Sequence, residues 1–186
     1  MNYKECDVNC PFNINNMTSF TKARNKDEKL PLHLENNGSK VLLVFEAPGY
    51  YEWENNSPIY DSRNNGMKDS AGSRIAEALE ICRKNRNDYD IAEAVCCFPG
   101  KHGQLEQKDV ETASEYCKKY LMDYVNSNRY EKVVCWGIVA YTIVKEIVND
   151  INKRSADYSP EIIEVEHPTN KNVNQEYVTD TVRKYL

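Results

Sequence analysis

Lys40 to Glu52 reads KVLLVFEAPGYYE. The apolar run Val41-Leu42-Leu43-Val44-Phe45 lies between Gly38-Ser39 and Pro48-Gly49. A short continuous apolar run between turn signals reads as a fully buried strand. It ends directly in Glu46-Ala47-Pro48-Gly49, with a second acid at Glu52. In open α/β sheets the ligand crevice lies outside the carboxyl ends of the strands. The carboxylate pair therefore falls where such a fold places its site.

Working outward, the same signature repeats. Tyr89 to Cys97, Glu131 to Trp136 and Ile162 to Glu166 read as three further strands. Between them lie helical stripes: about Ala71 to Lys84, capped by Asp69-Ser70, then Asp109 to about Asn126, and Ile138 to about Asn152. A C-terminal helix spans about Val173 to Tyr185, and Met17 to Arg24 reads as a short helix. Pro48 to Lys68, rich in Asn, Gly, Pro, Tyr and Ser, reads as one long loop. Strands alternating with helices predict βαβ crossovers and a parallel sheet covered on both faces. The expectation is an α/β fold, a three-layer α/β/α sandwich with a four-stranded parallel sheet, forming one domain over residues 1–186. Residues 1–37 form a polar N-terminal segment.

The 186 residues are 28% charged and 40% hydrophobic, a globular balance. No apolar run approaches the roughly 20 residues of a membrane span, and the first residues lack a signal-peptide pattern. A cytoplasmic protein without membrane contact is expected. A net charge of −5 argues against a broad, sequence-independent grip on nucleic acid, while leaving room for a local basic rim. Seven cysteines, an odd number, point to metal, redox chemistry or burial rather than a disulfide framework. Cys82 and Cys135 sit on apolar stripes and suit burial. Cys6 and Cys10 lie in a polar stretch, where burial explains little.

The segments after strands one, two and four are Glu46-Ala47-Pro48-Gly49, Phe98-Pro99-Gly100-Lys101-His102 and His167-Pro168-Thr169. Each joins a proline to a polar or ionisable group, and a parallel sheet brings all three to one rim. Proline also simply ends strands, and a glutamate is ordinarily a solvated surface residue. Three such turns at one rim favour a site.

These residues carry a resemblance to the uracil-DNA glycosylase superfamily, closest to its iron–sulfur (family 4-like) branch. Glu46-Ala47-Pro48-Gly49 with Glu52 is similar to that branch's Gly-Glu-Ala-Pro-Gly motif and following acid. Ala71-Gly72-Ser73-Arg74-Ile75 resembles its small-residue helix start. Val95-Cys96-Cys97-Phe98-Pro99-Gly100 resembles the strand ending in a cysteine ligand, and Cys117 the helix cysteine that follows. Gly137 to Val144 resembles the Gly-rich start of the next helix, and His167-Pro168-Thr169 the His-Pro-Ser motif. The order holds from Cys6 to the C-terminus.

The resemblance implies a DNA glycosylase that hydrolyses the N-glycosidic bond of a flipped uracil or another damaged base, acting as a monomer on DNA. Glu52 would stabilise the sugar cation and orient a water, and His167 would donate to the base oxygen as the base leaves. Glu46, Ala47, Pro48, Gly49, Pro168 and Thr169 would hold the substrate, the proline turns gripping the kinked backbone. Cys6, Cys10, Cys97 and Cys117 would hold a [4Fe–4S] cluster, with Cys96 a substitute for Cys97. On spacing alone, zinc is an equal alternative.

The chain also departs from the family. Cys6 and Cys10 are spaced C-x3-C rather than C-x2-C, and the Cys97–Cys117 gap is longer than usual. Glu93 stands where the family has an Asn that reads the uracil amide edge. A carboxylate, unless protonated, only accepts hydrogen bonds and cannot reproduce that pattern; it suits a base edge that offers donors, such as the amino groups of adenine, guanine or cytosine. Met67 stands at the position of the family's stacking Phe, with Tyr50, Tyr51 and Tyr60 as other shelves for a flipped base. Phe98 replaces an Arg. His102 lies in a lengthened loop, where a related branch carries a covalent trap for the sugar and where exposure is the ordinary reading. Two alternatives stand beside the enzyme: an iron–sulfur protein of the same fold that binds nucleotide or uracil-DNA without turnover, and a zinc-stabilised α/β protein acting on another small molecule.

Overall fold

A computed structural model describes residues 7–12, 34–98, 107–154 and 157–186. Cys6, the Met17–Arg24 helix and the Pro99 to Gly103 turn lie outside the described residues. Four strands, β1 (Val41–Phe45), β2 (Asp90–Glu93), β3 (Lys132–Trp136) and β4 (Glu161–Val165), form one sheet in the order β2-β1-β3-β4. Every pairing is parallel. The helices are α1 (Tyr50–Asn55), α2 (Ala71–Ile81), α3 (Gln107–Asn128), α4 (Ile138–Arg154) and α5 (Gln175–Tyr185). The architecture is the expected α/β/α sandwich.

The two faces follow from strand alternation, since successive side chains point to opposite sides. Leu42, Val44, Val133 and Cys135 enter one core, with Val110, Ala113 and Leu121 of α3 and Val139, Ile143 and Ile147 of α4. Leu43, Phe45, Val134 and Trp136 enter the other, with Ile75, Ala78 and Leu79 of α2 and Val178 and Val182 of α5. Within this second core the Phe45 and Trp136 rings stack with centroids 5.8 Å apart. Because both faces are covered, the strands read as apolar runs rather than alternating ones.

Register aligns the carboxyl ends. Phe45 lies opposite Glu93 on one side and Trp136 on the other, and Trp136 lies opposite Val165. Glu46, Ala94, Gly137 and Glu166 therefore form the next row, along a single rim. The chain reverses its winding direction between β1 and β3, so the crevice of a doubly wound sheet opens there.

Two sequence expectations are corrected. Strand two ends at Glu93 rather than Cys97. The Ala94 and Val95 N–H groups still bond to the Phe45 and Glu46 carbonyls at 2.7 and 2.9 Å. Beyond them β1 has turned away through Pro48, and no ladder partner remains. The long loop 48–68 contains α1 and a 3₁₀ turn at Arg63–Asn65. Trp53 anchors α1 in the first core, and Asn56 ends it in the left-handed conformation. A six-residue helix is too short to display a helical period in sequence.

The opposite rim is held by Asp90, fully buried at the start of β2. Its carboxylate accepts from the Asn37 and Ser39 N–H groups at 2.7 and 3.0 Å. It also accepts from the Tyr124 and Tyr130 hydroxyls at 3.2 and 2.6 Å. Its buried charge thus has four donors, as a stable buried carboxylate requires. Among the described residues, no helix is long and apolar enough to cross a membrane.

Candidate active site

At the carboxyl rim a cavity of about 310 Å3 opens between the β1 turn, α1, the start of α2 and the turn after β4. Ala47, Pro48, Gly49 and Glu52 line one side, and Met67, Ser70 and Ala71 another. Glu93 and Phe98 come from β2 and its continuation, His167 and Thr169 from the segment after β4. Tyr50 and Tyr51 complete an aromatic wall, with the Tyr50 ring edge-on to Phe98 at 6.2 Å. The volume is at the small end of ligand pockets, roughly 300–1,000 Å3, and suits one heterocycle.

Ten of the site candidates singled out in the sequence meet in this cavity: Ala47, Pro48, Gly49, Tyr50, Tyr51, Glu52, Met67, Glu93, His167 and Thr169; Tyr60 is not among its lining residues. Glu46 and Pro168 do not line it. Glu46 faces a neighbouring cavity of about 560 Å3 at the switch point, together with Gly137, Glu164 and Glu166. Its Oε1 accepts from the Val139 N–H at 3.1 Å, so it occupies the N-terminus of α4 where an anion would otherwise bind. Gly137 makes this close approach feasible. It holds φ at 103°, and a Cβ there would come within 2.3 Å of Glu46 Oε1. Burial raises the Glu46 pKa, opposed by the Val139 N–H. Pro168 is buried, and its carbonyl accepts from the Arg74 guanidinium at 2.8 Å. Arg74 also bonds the Val173 carbonyl at 2.7 Å, which fixes the turn bearing His167 to α2.

Glu52 stands in the first turn of α1 and is 5% exposed. Burial raises its pKa, while backbone N–H groups of Glu52, Gly72 and Tyr60 and the Arg86 guanidinium pull it down. Gly72 is required here: a Cβ would lie 2.1 Å from the Tyr60 carbonyl oxygen. Glu93, at the last position of β2, is 4% exposed and its Oε2 has no hydrogen-bond partner. Burial, then the charges of Glu52 and Glu46, push its pKa well up, against a weaker pull from Arg86. A buried carboxyl without donors is expected to be neutral.

The three carboxyl groups are thus graded by environment. Arg86 connects them to the rest of the fold. It donates to both Glu35 carboxylate oxygens, at 3.0 and 2.6 Å, and to the Ile59 and Pro58 carbonyls. Nothing in the local sequence marks this arginine, because Glu35 lies 51 positions away. Phe98 is likewise a wall residue that the sequence marked only as a departure.

His167 Nδ1 lies 3.0 Å from Thr169 Oγ1 and accepts from the Thr169 N–H at 3.3 Å. With Nδ1 accepting, the ring proton belongs on Nε2. Burial lowers the His167 pKa to about 4, so the ring is neutral at pH 7. The arrangement offers a neutral N–H donor, a buried carboxyl able to take a proton and a flat aromatic wall. That set suits binding a heterocycle and stabilising negative charge developing on it.

Among the described residues, the cysteines other than Cys82 lie on the α3/α4 face. Cys10, Cys96, Cys97 and Cys117 are all buried in the first core. The Cys96 N–H lies 3.5 Å from Cys117 Sγ, and the Cys96 thiol pKa is raised by its contact with Cys117 and by burial. Three implied cluster ligands therefore share one buried region, with Cys96 beside one of them, and four thiolates are the donor set a [4Fe–4S] cluster takes. Among the described residues, no group of three or more His, Cys, Asp or Glu side chains is arranged to hold a metal ion. The fourth implied ligand, Cys6, is outside them. Cys135 is buried, as expected from its stripe, whereas Cys82 is half-buried with Sγ 3.6 Å from the Thr179 carbonyl. Compared with known proteins, the chain matches no family model and no curated protein sequence.

Proposed function

We propose that this protein is a DNA glycosylase of the uracil-DNA glycosylase type, which hydrolyses the N-glycosidic bond of a flipped uracil or another damaged base. The observation that supports this reading is the meeting of Glu52, Glu93 and His167, from three separate elements, on one base-sized cavity with an aromatic wall. The flipped base lies against Tyr50, Tyr51, Phe98 and Met67. The C1′–N bond breaks with its electron pair going to the base, and the neutral His167 Nε2–H donates to the base oxygen that gains charge. Glu52 faces the sugar cation, orients a water onto C1′ and takes the proton that the water releases. Its raised pKa suits that role.

Cys6, Cys10, Cys97 and Cys117 hold a [4Fe–4S] cluster in this reading, with Cys96 the substitute for Cys97. When bound, the cluster serves structure, tying the N-terminal segment to α3. In this reading the protein is cytoplasmic and acts as a monomer on DNA. A second reading, binding without turnover, is favoured by the net charge of −5 and by Glu46, Glu164 and Glu166 on the adjoining cavity. Those acids oppose a long phosphate track.

The test is alkaline cleavage of an end-labelled oligonucleotide bearing one uracil, with anaerobically purified protein and a Glu52→Gln, His167→Ala control. Cleavage by the wild type and not by the control supports the enzyme. Retained binding of uracil-DNA without cleavage moves the reading to the binding protein.

A further inference from the structure

We propose that Arg86 is a positioning residue for the reaction: from behind the cavity it holds the Pro58–Tyr60 segment in the conformation that presents backbone N–H groups to the Glu52 carboxylate. This rests on the excision reading and names the residue that sets its carboxylate in place. Arg86 does not line the base-sized cavity. It lines a separate one of about 640 Å3, with Tyr60 and Asp61, and Ile59 borders both. Ile59 holds φ at 42°. That left-handed conformation is a genuine outlier for a β-branched residue, and it persists only where the surroundings over-determine it.

Two sets of contacts do so here. The Ile59 side chain is buried in the second core. Its carbonyl accepts from Arg86 Nη1 at 2.9 Å, and the Pro58 carbonyl accepts from Nη2. Arg86 is anchored in turn by Glu35, whose carboxylate accepts from Nε at 3.0 Å and from Nη2 at 2.6 Å. The Glu35 backbone is paired with Ile91 of β2 by bonds of 2.9 and 3.0 Å. The planar fork therefore carries the position of the sheet to the 58–60 segment, which the point charge of a lysine does not do. Tyr60, and Gly72 packed against it, then offer their N–H groups to Glu52. On the other sides of the cavity stand Glu93 at the end of β2, His167 after β4, and Tyr50 and Tyr51 of α1. His167 is neutral at pH 7 and the Glu93 pKa is pushed well up, so the N–H donors and Arg86 are what oppose the burial of Glu52. Loosening the segment takes donors from the charged form and raises the Glu52 pKa further.

The test uses the full chain with Arg86→Lys, Arg86→Gln and Glu35→Gln, the last loosening Arg86 without touching the cavity. Glu52 is titrated by NMR of labelled glutamate carboxyl carbons, assigned by its loss in Glu52→Gln, and single-turnover excision is followed against pH. A misplacement of about 1 Å can cost roughly a hundredfold, so partial loosening should cost at least about tenfold at the plateau. The inference expects all three variants to titrate Glu52 at higher pH than the wild type and to displace the acid limb of excision the same way, with Arg86→Lys failing to rescue. Glu35→Gln decides alone if the arginine variants do not fold. Wild-type titration of Glu52 in the variants, with only the urea midpoint lowered, makes Arg86 purely structural and overturns the inference. Full recovery in Arg86→Lys beside loss in Arg86→Gln assigns the effect to charge alone and overturns it too. A raised Glu52 midpoint in all variants of a protein that excises nothing refutes the glycosylase and keeps the positioning. Excision unchanged in rate and pH profile in Arg86→Lys refutes the positioning and keeps the glycosylase.

Discussion

Replacing Gly72 by alanine sets two physical effects of opposite sign against each other. Gly72 lies in the first turn of α2, and helix propensity favours Ala over Gly by up to about 1 kcal/mol. If only the helix mattered, the variant would be more stable than the wild type. The new Cβ, however, would lie 2.1 Å from the Tyr60 carbonyl oxygen and 2.6 Å from the Ile59 carbonyl carbon. Those neighbours are backbone, and they cannot rotate away as a side chain would. Ser62 and Ser73 also bind the two segments together, the Ser62 N–H donating to Ser73 Oγ at 3.1 Å. Overpacking of this kind costs about 1–3 kcal/mol, so the net effect is a loss of about 1–2 kcal/mol. With a urea slope of about 1–3 kcal/mol per molar, the unfolding midpoint falls by roughly 0.5–1 M at unchanged slope. Glu52 follows, because backbone N–H groups of Gly72 and Tyr60 hold its carboxylate. Excision should therefore fall further than the folded fraction does. A midpoint equal to or above that of the wild type would refute the close packing of α2 on the 59–60 segment.

Three further outcomes follow from other parts of the fold. Asp90→Ala takes the carboxylate acceptor from two backbone N–H groups and the Tyr130 hydroxyl, leaving Tyr124 only the Glu35 carbonyl at 3.3 Å, and should lower stability by about 3 kcal/mol or more in urea unfolding. Gly137→Ala forces a Cβ into Glu46 at a φ of 103° and should cost about 2 kcal/mol, whereas Ile138→Ala, at an exposed side chain, should cost less than about 1 kcal/mol. For His167 the folded pKa of about 4 lies below the ordinary 6.5, so the unfolded chain binds more protons between those values. Stability should therefore be lost as pH drops from about 6.5 to about 4, by about 2 kcal/mol, and His167→Gln should remove that portion of the loss. The carboxyls of Glu46, Glu52 and Glu93 act oppositely. Their raised pKa values make folding take up protons, so they cost stability as pH rises from about 4.5.

Much of the fold was legible because it depends on local pattern. The apolar runs of β1, β3 and β4 and the helical stripes are contiguous in sequence, and their ends agree with the structure to within two residues, except that α2 ends at Ile81 rather than about Lys84, where Arg83 turns left-handed at a φ of 54°. The Ser70 cap was readable for the same reason, its Oγ accepting from the Ser73 N–H at 3.1 Å. The parts not legible depend on partners distant in the chain. Strand β2 stops where β1 turns away, which the Val, Ala and Cys composition of residues 94–97 does not reveal. Asp90 and Arg86 look like ordinary surface charges until Tyr130, Glu35 and Ile59 surround them. The 47–52 turn, Glu93, His167 and Thr169 converge on the cavity because strand ends in a parallel sheet must share a rim, and Met67 joins them from the loop before α2. Glu46 and Pro168 serve the walls behind it instead, one holding α4 and the other accepting from Arg74. The sequence at Glu93 does not report its burial, which decides whether the carboxyl accepts only or also donates. Burial and the neighbouring charges of Glu52 and Glu46 push its pKa well up.

The measurement that bears most directly on the central claim is release of free base from a uracil-containing oligonucleotide in a single turnover, followed by chromatography. With enzyme in excess, the wild type should release uracil in amounts equal to the abasic sites formed. Glu52→Gln, folded by its urea midpoint, should release it at least about a hundredfold more slowly. Folded wild-type protein that releases no base, or a Glu52→Gln variant that keeps the wild-type rate, would contradict the account.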